Sequence, residues 1–283
     1  MSQEPPAQQQ SYPGETGPMR PQPRDEMGDY TGRDLLADKK ALVSGGDSGI
    51  GRAVCAAFAK EGADVAIGYL SEDAEAEHTA ELVRRQGRRS LQIRGDVADE
   101  QHCYDMVEQT AGEFGRIDVL VVHAATQEPV SDFAELSTEQ LRRTYEVNVF
   151  GAFWTVRAAA PHLAPGASVV ITGSVNGLRG NKSLIDYATS KAAVHNLTHS
   201  LAQHYMQDGI RVNCVAPGPV WTPLIPSTLG EEKVEGFGSH APMGRAADPD
   251  EIAPSYVFFA SNRLSSYYTG EVLAPTGGEI QAS

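Results

Sequence analysis

The sequence predicts one α/β domain built on a parallel, doubly wound sheet with helices on both faces, a three-layer α/β/α arrangement. Short apolar runs alternate with longer helical patterns from Lys40 onward. The apolar runs lack polar alternation, which is typical of strands buried on both faces. Glycines follow several of the helical patterns, at Gly62, Gly87 and Gly115, where a residue without a Cβ favours a left-handed cap.

The predicted elements follow in chain order. The strand ALVS precedes the helix GIGRAVCAAFAKEG, DVAIGY precedes DAEAEHTAELVRRQG, and SLQIRGDV precedes EQHCYDMVEQTAGEFG. DVLVVHAA is the fourth strand, and ASVVITGS, IRVNCVAPG and EVLAPTGG follow, with a long helix that contains Tyr187 after the first of these. Ligands of such sheets bind at the carboxyl ends of the strands, so functional residues are expected there.

Composition limits the classes of function. The chain has 283 residues and a formal net charge of -14, which argues against a nucleic-acid partner because phosphates need clustered Lys and Arg. Cys55, Cys103 and Cys214 lie far apart, as is typical of reduced thiols in a cytoplasmic protein. No apolar run is long enough to cross a membrane and no signal-peptide pattern is present, so we expect no membrane partner.

Two segments depart from the regular pattern. Residues 1–36 are rich in Pro, Gln and Gly and have almost no apolar periodicity. They are either a disordered tail or an extended arm on the body or on a neighbouring subunit, with anchors at Tyr12, Met19, Met27 and Tyr30. We predict a partly disordered arm, favour the arm for its second half, and assign 37–283 to one catalytic domain.

The second unusual segment, 217–247, is longer than most connections and is predicted to be a substrate lid. Trp221, Leu224 and Phe237 are candidate walls of an apolar pocket, and core packing is an equal interpretation.

A glycine-rich turn follows the first strand. In SGGDSGIG, Gly45, Gly49 and Gly51 lie between a strand and a helix. Glycine permits a tight turn there and lets backbone N–H groups reach a pyrophosphate at the positive end of the helix. Glycine also marks ordinary turns, but the strand before and the helix after favour dinucleotide binding.

Tyr187 and Lys191 lie four residues apart in DYATSK, on one face of the predicted helix. That spacing alone fits a solvated or packing pair better than a catalytic one. Their interpretation depends on the rest of the chain.

The spacing G-x-x-x-G-x-G resembles that of the short-chain dehydrogenase/reductase family, and the resemblance extends through nearly the whole folded region. RGDV, with Asp96 and Val97, resembles the adenine-contacting turn of the family, and YEVNVFG, with Asn148, resembles its central-helix motif. ITGSVNG supplies Ser174, and NCVAPGPVWTP resembles the loop that closes over the nicotinamide. The GGDSGIGRAV opening and the Pro-rich extension are most similar to the bacterial aldehyde reductase and general-stress oxidoreductase group.

The resemblance implies a Rossmann-type fold and an enzyme, an NAD(P)-dependent carbonyl reductase or alcohol dehydrogenase. Its substrate would be a small aldehyde, ketone or alcohol. The catalytic residues it implies are Asn148, Ser174, Tyr187 and Lys191. The cofactor-binding residues it implies are Gly45, Asp47, Ser48, Gly49, Ile50, Gly51, Tyr69, Leu70, Asp96, Val97, His123, Ala124, Tyr187, Lys191, Pro217, Gly218, Val220 and Thr222.

Each implied catalytic role has a chemical reason. Tyr187 would be the general acid/base, and because a free tyrosine is a poor one at neutral pH, the Lys191 ammonium is expected to stabilise its phenolate. Ser174 can donate to the carbonyl oxygen as charge develops there. By resemblance, Lys191 also holds the nicotinamide ribose, and Asn148 holds a water that links Lys191 to solvent. Taken singly, Ser174, Asn148 and Tyr187 could be a turn former, a packing amide and a helix-start aromatic.

The choice between NAD and NADP stays open. Leu70 occupies the position where NAD enzymes usually place an acid and NADP enzymes a base, and it is neither. Glu72 and Asp73 would repel a 2′-phosphate if they faced it, or they are favourable first-turn charges of the next helix.

One motif departs from the family pattern. Where the family usually has Asn-Asn-Ala-Gly, this chain has His123-Ala124-Ala125-Thr126, preceded by Val122. The family Asn side chains mainly brace the sheet, so we expect cofactor binding to survive and the bracing of the fourth strand to differ.

Other interpretations are weaker. His195, His199 and His204 lack the glutamate of a metalloprotease helix and partners at ligand spacing, so no metal site is predicted and structural or subunit-contact roles are favoured. A non-catalytic redox-sensing binder is disfavoured because Tyr187 and Lys191 are both present. A third class of function is an interaction protein that acts through its Pro-rich arm.

By resemblance we expect a homo-oligomer, with a tetramer favoured and the Tyr187 helix near a subunit contact.

Overall fold

Strands and helices alternate along the chain, as the apolar pattern predicts. The computed structural model describes residues 4–279. The strands are β1 (Lys40–Ser44), β2 (Asp64–Tyr69), β3 (Ser90–Arg94), β4 (Ile117–Val122), β5 (Leu163–Thr172), β6 (Arg211–Val215) and β7 (Val272–Leu273). The α-helices are α1 (Gly49–Lys60), α2 (Asp73–Arg85), α3 (Glu100–Phe114), α4 (Thr138–Tyr145), α5 (Gly151–Ala159), α6 (Val175–Arg179), α7 (Ile185–Tyr205), α8 (Leu224–Thr228), α9 (Glu231–Val234), α10 (Pro249–Ala260) and α11 (Asn262–Ser265). A π-helical segment (Glu146–Phe150) joins α4 to α5, and 3₁₀ turns cover Phe133–Glu135, Ala160–His162 and Met206–Asp208.

The strands form one sheet in the order β3-β2-β1-β4-β5-β6-β7. Every neighbouring pair in it is parallel. The prediction of a doubly wound parallel sheet is therefore confirmed. The strand order reverses between β1 and β4, and ligands of open α/β sheets bind at the carboxyl ends beside such a point.

Two apolar layers cover the two faces of the sheet. On one face, α1 and α10 pack against strand residues that include Val43 and Ile67. On the other face, α3, α5 and α7 pack against residues that include Leu42 and Leu120. Because adjacent residues such as Leu42 and Val43 belong to opposite layers, the central strands are buried on both sides and show no polar alternation.

Residues 4–36 lie along the surface of the same chain. Met19 and Met27 are fully buried, Tyr30 is half-buried, and Tyr12 is 43% exposed. Three of the four predicted anchors are therefore buried or half-buried, and Tyr12 is the most exposed of the four. The first three residues of the predicted arm and the last four of the predicted domain lie outside the described residues.

The described part of the chain contains no helix that is long and apolar enough to cross a bilayer. Its three cysteines are buried free thiols.

Candidate active site

The glycine-rich turn lies at the carboxyl end of β1, and each of its three predicted glycines has a steric reason. Gly45 has a φ of +71°, and a Cβ there would lie 2.9 Å from Ala124 Cα. Gly49 has a φ of +52°, and its Cβ would lie 2.9 Å from Thr222 Cγ2 in the lid. A Cβ on Gly51 would lie 1.8 Å from the Gly45 carbonyl oxygen, so α1 can begin this close to the strand only with glycine.

One large cavity, of about 730 Å³, adjoins this turn. It is lined by residues that follow the carboxyl ends of β1 to β6. The predicted site residues that line it are Gly45, Asp47, Ser48, Gly49, Ile50, Tyr69, Leu70, Asp96, Val97, His123, Ala124, Ser174, Tyr187, Lys191, Pro217, Gly218, Val220 and Thr222. Two predicted residues, Gly51 and Asn148, lie behind its walls.

Asn148 is 3% exposed and belongs to the π-helical segment between α4 and α5. Its side-chain oxygen accepts from Thr126 N at 2.8 Å, and its side-chain nitrogen donates to Thr126 O at 2.9 Å and to Ser190 Oγ at 3.0 Å. Both polar ends of the amide are thus engaged in bracing the loop after β4 against α7. Asn148 lies in a π-helical segment, a feature found often at functional sites.

Tyr187 and Lys191 face the cavity from α7 and are 9% and 3% exposed. Lys191 Nζ lies 5.7 Å from the centroid of the Tyr187 ring and donates to Thr172 O at 2.8 Å. Burial lowers the pKa of Lys191 to about 8. Burial also raises the pKa of Tyr187, and a hydrogen bond with Ser174 opposes that rise.

The direction of the Tyr187 pKa differs from the expectation that the ammonium would lower it. The main reason is burial, because the phenol lies in a poorly solvated position, whereas Lys191 Nζ donates to the Thr172 carbonyl. Tyr187 is therefore held as a neutral phenol, which is the form that can donate a proton.

Ser174 lies between β5 and α6, where its Oγ accepts from Asn176 N at 3.1 Å and caps the helix. Its backbone N–H donates to His195 Nε2 at 3.2 Å. A Cβ on Gly173 would lie 2.1 Å from the same nitrogen, so the end of β5 and the imidazole are in close contact. Burial is the main reason that the pKa of His195 falls to about 4, which keeps Nε2 available as an acceptor.

His195 therefore supports the backbone that presents Ser174, which is one form of the structural role that the sequence favoured for it. Its spacing of four residues from Lys191 on the same helix was the available signal. Within residues 4–279, no group of three or more His, Cys, Asp or Glu side chains is arranged to hold a metal ion.

His123 joins a side-chain network that includes Thr172 and Tyr256. Its Nδ1 lies 3.1 Å from Thr172 Oγ1, which lies 2.8 Å from the Tyr256 hydroxyl oxygen. The His123 backbone N–H donates to Ser44 Oγ at 3.0 Å. Burial, with a smaller effect of the Lys191 charge, lowers the pKa of His123 to about 3, so the ring is neutral. The side-chain network ties β4 to β5 and α10, and the ring also lines the cavity.

The other end of the cavity lies at the ends of β1 and β2. Asp47, Leu70 and Glu72 line it. Burial, with a smaller contribution from the Glu72 charge, raises the pKa of Asp47 to about 6. Asp73 instead pairs with Arg94 at 3.2 Å. Of the two acidic residues that the sequence left open, Glu72 is the one that faces the cavity.

The predicted lid has a packed part and a lining part. Trp221 is 4% exposed, and its ring centroid lies 6.3 Å from that of Phe237. Its Nε1 donates to Pro21 O in the arm at 2.8 Å. Leu224 and Phe237 line the cavity. Trp221 therefore belongs to the core of the lid, and the other two residues form the wall.

Gln127 and Tyr12 are two of the cavity residues that the sequence patterns did not assign to the site. Gln127 is 6% exposed, lines the cavity, and donates to Thr228 Oγ1 of α8 at 3.0 Å. It follows His123 by four residues, so the departure from the family motif was the only nearby signal. Tyr12 reaches the cavity from the arm, and no periodicity in that segment marks it.

The residues fit a nicotinamide dinucleotide. The cavity adjoins the glycine-rich turn and the N-terminus of α1, where Gly45, Ser48 and Ile50 line it, and a helix N-terminus favours a pyrophosphate. The cavity extends from Leu70 and Asp96 to Ser174 and Tyr187, so it joins the phosphate turn to the candidate proton donor. Its volume of about 730 Å³ lies within the usual range for cofactor sites.

Known proteins with similar chains agree with this geometry. A family model described as "Enoyl-(Acyl carrier protein) reductase" matches residues 45–279. General stress protein 39 of Bacillus subtilis (strain 168) is 47% identical over 276 residues, which cover 97% of this chain and 96% of that protein. The NADPH-dependent aldehyde reductase 1, chloroplastic, of Arabidopsis thaliana is 43% identical over 278 residues, which cover 96% of each.

Solved structures with a similar fold are also short-chain dehydrogenases. A crystal structure of a short chain dehydrogenase from Burkholderia cenocepacia J2315 in complex with NADP is 31% identical in sequence and has a TM-score of 0.80. The match covers 86% of this chain and 98% of that one. The chain belongs to the short-chain dehydrogenase/reductase family and is an NAD(P)-dependent oxidoreductase.

Proposed function

We propose that this enzyme reduces aldehydes or ketones, and oxidises alcohols in reverse, with Tyr187 as the general acid/base. The observation that carries the proposal is that Tyr187, Lys191 and Ser174 line the same cavity as the glycine-rich turn. When bound, the nicotinamide supplies the hydride that reduces the carbonyl carbon. The chain must then supply a proton and hold the carbonyl oxygen in place.

Ser174 and Tyr187 act on the carbonyl oxygen. The Ser174 hydroxyl donates a hydrogen bond to it, which stabilises the negative charge that develops during reduction. The Tyr187 hydroxyl donates its proton to the same oxygen, which becomes the alcohol. The raised pKa of Tyr187 keeps its hydroxyl protonated at neutral pH, so the proton is in place. The same shift makes the phenol a weaker acid, so the transfer depends on the negative charge that develops on the carbonyl oxygen and on the nearby Lys191 ammonium.

Lys191 and Asn148 act after proton transfer. The Lys191 ammonium stabilises the Tyr187 phenolate and, by analogy with the family, holds the nicotinamide ribose hydroxyls. Its pKa of about 8 supports a second role in returning a proton to Tyr187 near neutral pH. We propose that a water held by the main chain at Asn148 connects Lys191 to solvent, because the Asn148 side chain is already engaged with Thr126 and Ser190.

Replacing Tyr187 with phenylalanine tests the proposal, since it removes one hydroxyl. The expected result is a fall in kcat/KM of at least about 100-fold, as for loss of a general acid. Tyr267→Phe is the matched control, because Tyr267 is 98% exposed and does not line the cavity. Both variants should still bind nucleotide, followed by fluorescence, so that a fall in turnover is not a loss of cofactor. Full turnover by Tyr187→Phe would disprove the mechanism.

Substrate class and cofactor preference need a direct assay. The likeness to a relative named as an aldehyde reductase supports small and medium aldehydes as the first substrates to test. A panel of aldehydes, ketones and alcohols, followed by reduced-nicotinamide absorbance with NAD(H) and NADP(H), measures both properties. A preference above tenfold for one nucleotide corresponds to about 1.4 kcal/mol and would decide between them.

We also propose a cytoplasmic homotetramer. The buried free thiols support a reducing compartment. Phe150 and Phe153 are 46% and 51% exposed and lie three residues apart at the start of α5, so they form an apolar patch that a second subunit could cover. The mass in solution tests this assembly.

A further inference from the structure

The N-terminal arm contacts both sides of the nucleotide cleft. On one side lies the lid, 217–247, and on the other lie the glycine-rich turn and the start of α2. The arm reaches the lid with residues 5–21 and the opposite side with Thr16 and Asp25.

Among the described residues, four hydrogen bonds attach the arm to the lid. They are Gly236 N to Pro5 O at 3.0 Å, Gln10 N to Pro226 O at 2.8 Å, Ser227 Oγ to Pro13 O at 3.0 Å and Trp221 Nε1 to Pro21 O at 2.8 Å. Three of the four acceptors are arm carbonyls, so these bonds depend on the path of the arm backbone. Gly14 comes so close to α8 that a Cβ there would lie 2.7 Å from Pro223 O.

Met19 is the apolar anchor of the same contact. It is 0% exposed and packs in a cluster with Trp221, Ile225, Leu229, Val234 and Ala246 of the lid. Apart from Met19, all of the buried members of this cluster belong to the lid. The lid core is therefore completed by a side chain from the arm.

The arm is fixed to the nucleotide-binding side through Arg52 of α1. The buried Arg52 guanidinium donates to Asp47 O in the glycine-rich turn at 2.8 Å, to Thr16 Oγ1 at 3.2 Å, and to Asp25 Oδ2 at 3.3 Å. Asp25 Oδ2 also accepts from Gly49 N at 3.2 Å. Thr16 N donates to Glu75 Oε1 of α2 at 3.0 Å.

Between these two attachments, the arm residues Tyr12, Pro13 and Gly14 line the cavity itself. We propose that the arm is a wall of the dinucleotide cleft, with Tyr12 to Gly14 facing the nucleotide and Met19 as the residue that positions this wall on the lid. The inference rests on the proposed nucleotide site. Its consequence is that a bound dinucleotide leaves only when arm and lid move together, so the arm slows nucleotide release.

Met19→Ala tests this inference through the rate of nucleotide release. The protein is loaded with NADH or NADPH, and release is followed by stopped-flow fluorescence after mixing with excess oxidised nucleotide. Loss of the Met19 side chain from the lid core is expected to raise the dissociation rate about tenfold. Tyr12→Ala, which removes a wall side chain, is expected to raise it about threefold, and Tyr12→Phe should leave it unchanged.

Two controls separate positioning from loss of stability. Met206→Ala makes the same chemical change at a residue that is 59% exposed. Val107→Ala removes a fully buried side chain from α3, which belongs to a different apolar layer, and lowers the melting temperature without touching arm or lid. Both controls should release the nucleotide at the rate of the unaltered protein.

The outcomes are distinct. Faster release from Met19→Ala than from Val107→Ala supports the inference. Equal rates for Met19→Ala and the unaltered protein overturn it, as does an equal increase in all destabilised variants. Absence of nucleotide binding by the unaltered protein would contradict the proposed site itself.

Discussion

Replacing Lys191 with methionine is expected to remove catalysis without weakening the fold at pH 7. Lys191 is 3% exposed, and burial lowers its pKa from 10.5 to about 8. At about 1.4 kcal/mol for each pH unit, that difference corresponds to about 3 kcal/mol of lost stability while the group is charged. The unfolded chain binds more protons than the folded one between pH 8 and 10.5, so the free energy of unfolding rises with pH across that window.

Methionine removes this desolvation penalty but also removes a hydrogen bond. Lys191 Nζ donates to Thr172 O at 2.8 Å, and a buried carbonyl left without a donor costs about 1–3 kcal/mol. The desolvation energy recovered exceeds the cost of the lost hydrogen bond by at most about 2 kcal/mol. We therefore expect the free energy of unfolding of Lys191→Met at pH 7 to lie between that of the unaltered protein and a value about 2 kcal/mol higher.

Urea unfolding at fixed protein concentration measures this balance. Lys60→Met is the matched control, because Lys60 Nζ donates to Tyr30 O at 2.9 Å from a partly exposed position where methionine recovers less desolvation. The control is expected to lose about 1 kcal/mol. The advantage of Lys191→Met should shrink as the pH rises from 8 to 10. A loss of more than about 2 kcal/mol at pH 7 would refute the reasoning.

Three further perturbations test other parts of the site and surface. His195→Leu should lower kcat about tenfold, because His195 Nε2 accepts from Ser174 N at 3.2 Å, and His195→Gln should keep most of the activity. Equal kcat values for His195→Leu and the unaltered protein in steady-state assays would show that this hydrogen bond does not contribute to catalysis. Glu72→Gln should raise the ratio of kcat/KM for NADPH to that for NADH about threefold, since Glu72 lines the cavity, whereas the same change at the exposed Glu81 should leave the ratio constant. Phe153→Asp should reduce the particle mass measured by light scattering, because Phe153 is 51% exposed at the proposed subunit contact, and an unchanged mass would exclude that face.

The sheet could be predicted from the sequence because burial leaves a direct mark on it. Leu42 and Val43 pack into opposite layers, so a strand between two layers of helices must be apolar at successive positions. The glycine-rich turn leaves an equally local mark. Gly45 and Gly51 are six residues apart, and the contact between them excludes any side chain, so the spacing itself records the geometry.

The bracing of the site could not be predicted in the same way. Asn148 forms hydrogen bonds with Thr126 and Ser190, which are 22 and 42 residues away in the chain. The spacing of apolar residues in the sequence does not indicate which distant residues form such bonds. The same holds for the pKa of Tyr187. The spacing to Lys191 indicated a nearby ammonium, but burial of the phenol sets the direction of the shift, and Lys191 Nζ donates to the Thr172 carbonyl.

The arm shows a further limit of composition as a guide. A Pro- and Gln-rich segment cannot bury a core of its own, and that is all its composition establishes. Docking on a preformed surface needs only a few isolated anchors, such as Met19 and Met27, because only the arm loses conformational entropy when it docks. Prolines in the arm also restrict its unfolded conformations, which lowers the entropy lost on docking. Such anchors have no period, since an arm without helix or strand has no repeating face, so isolated apolar residues in a polar segment are the only sign that it packs.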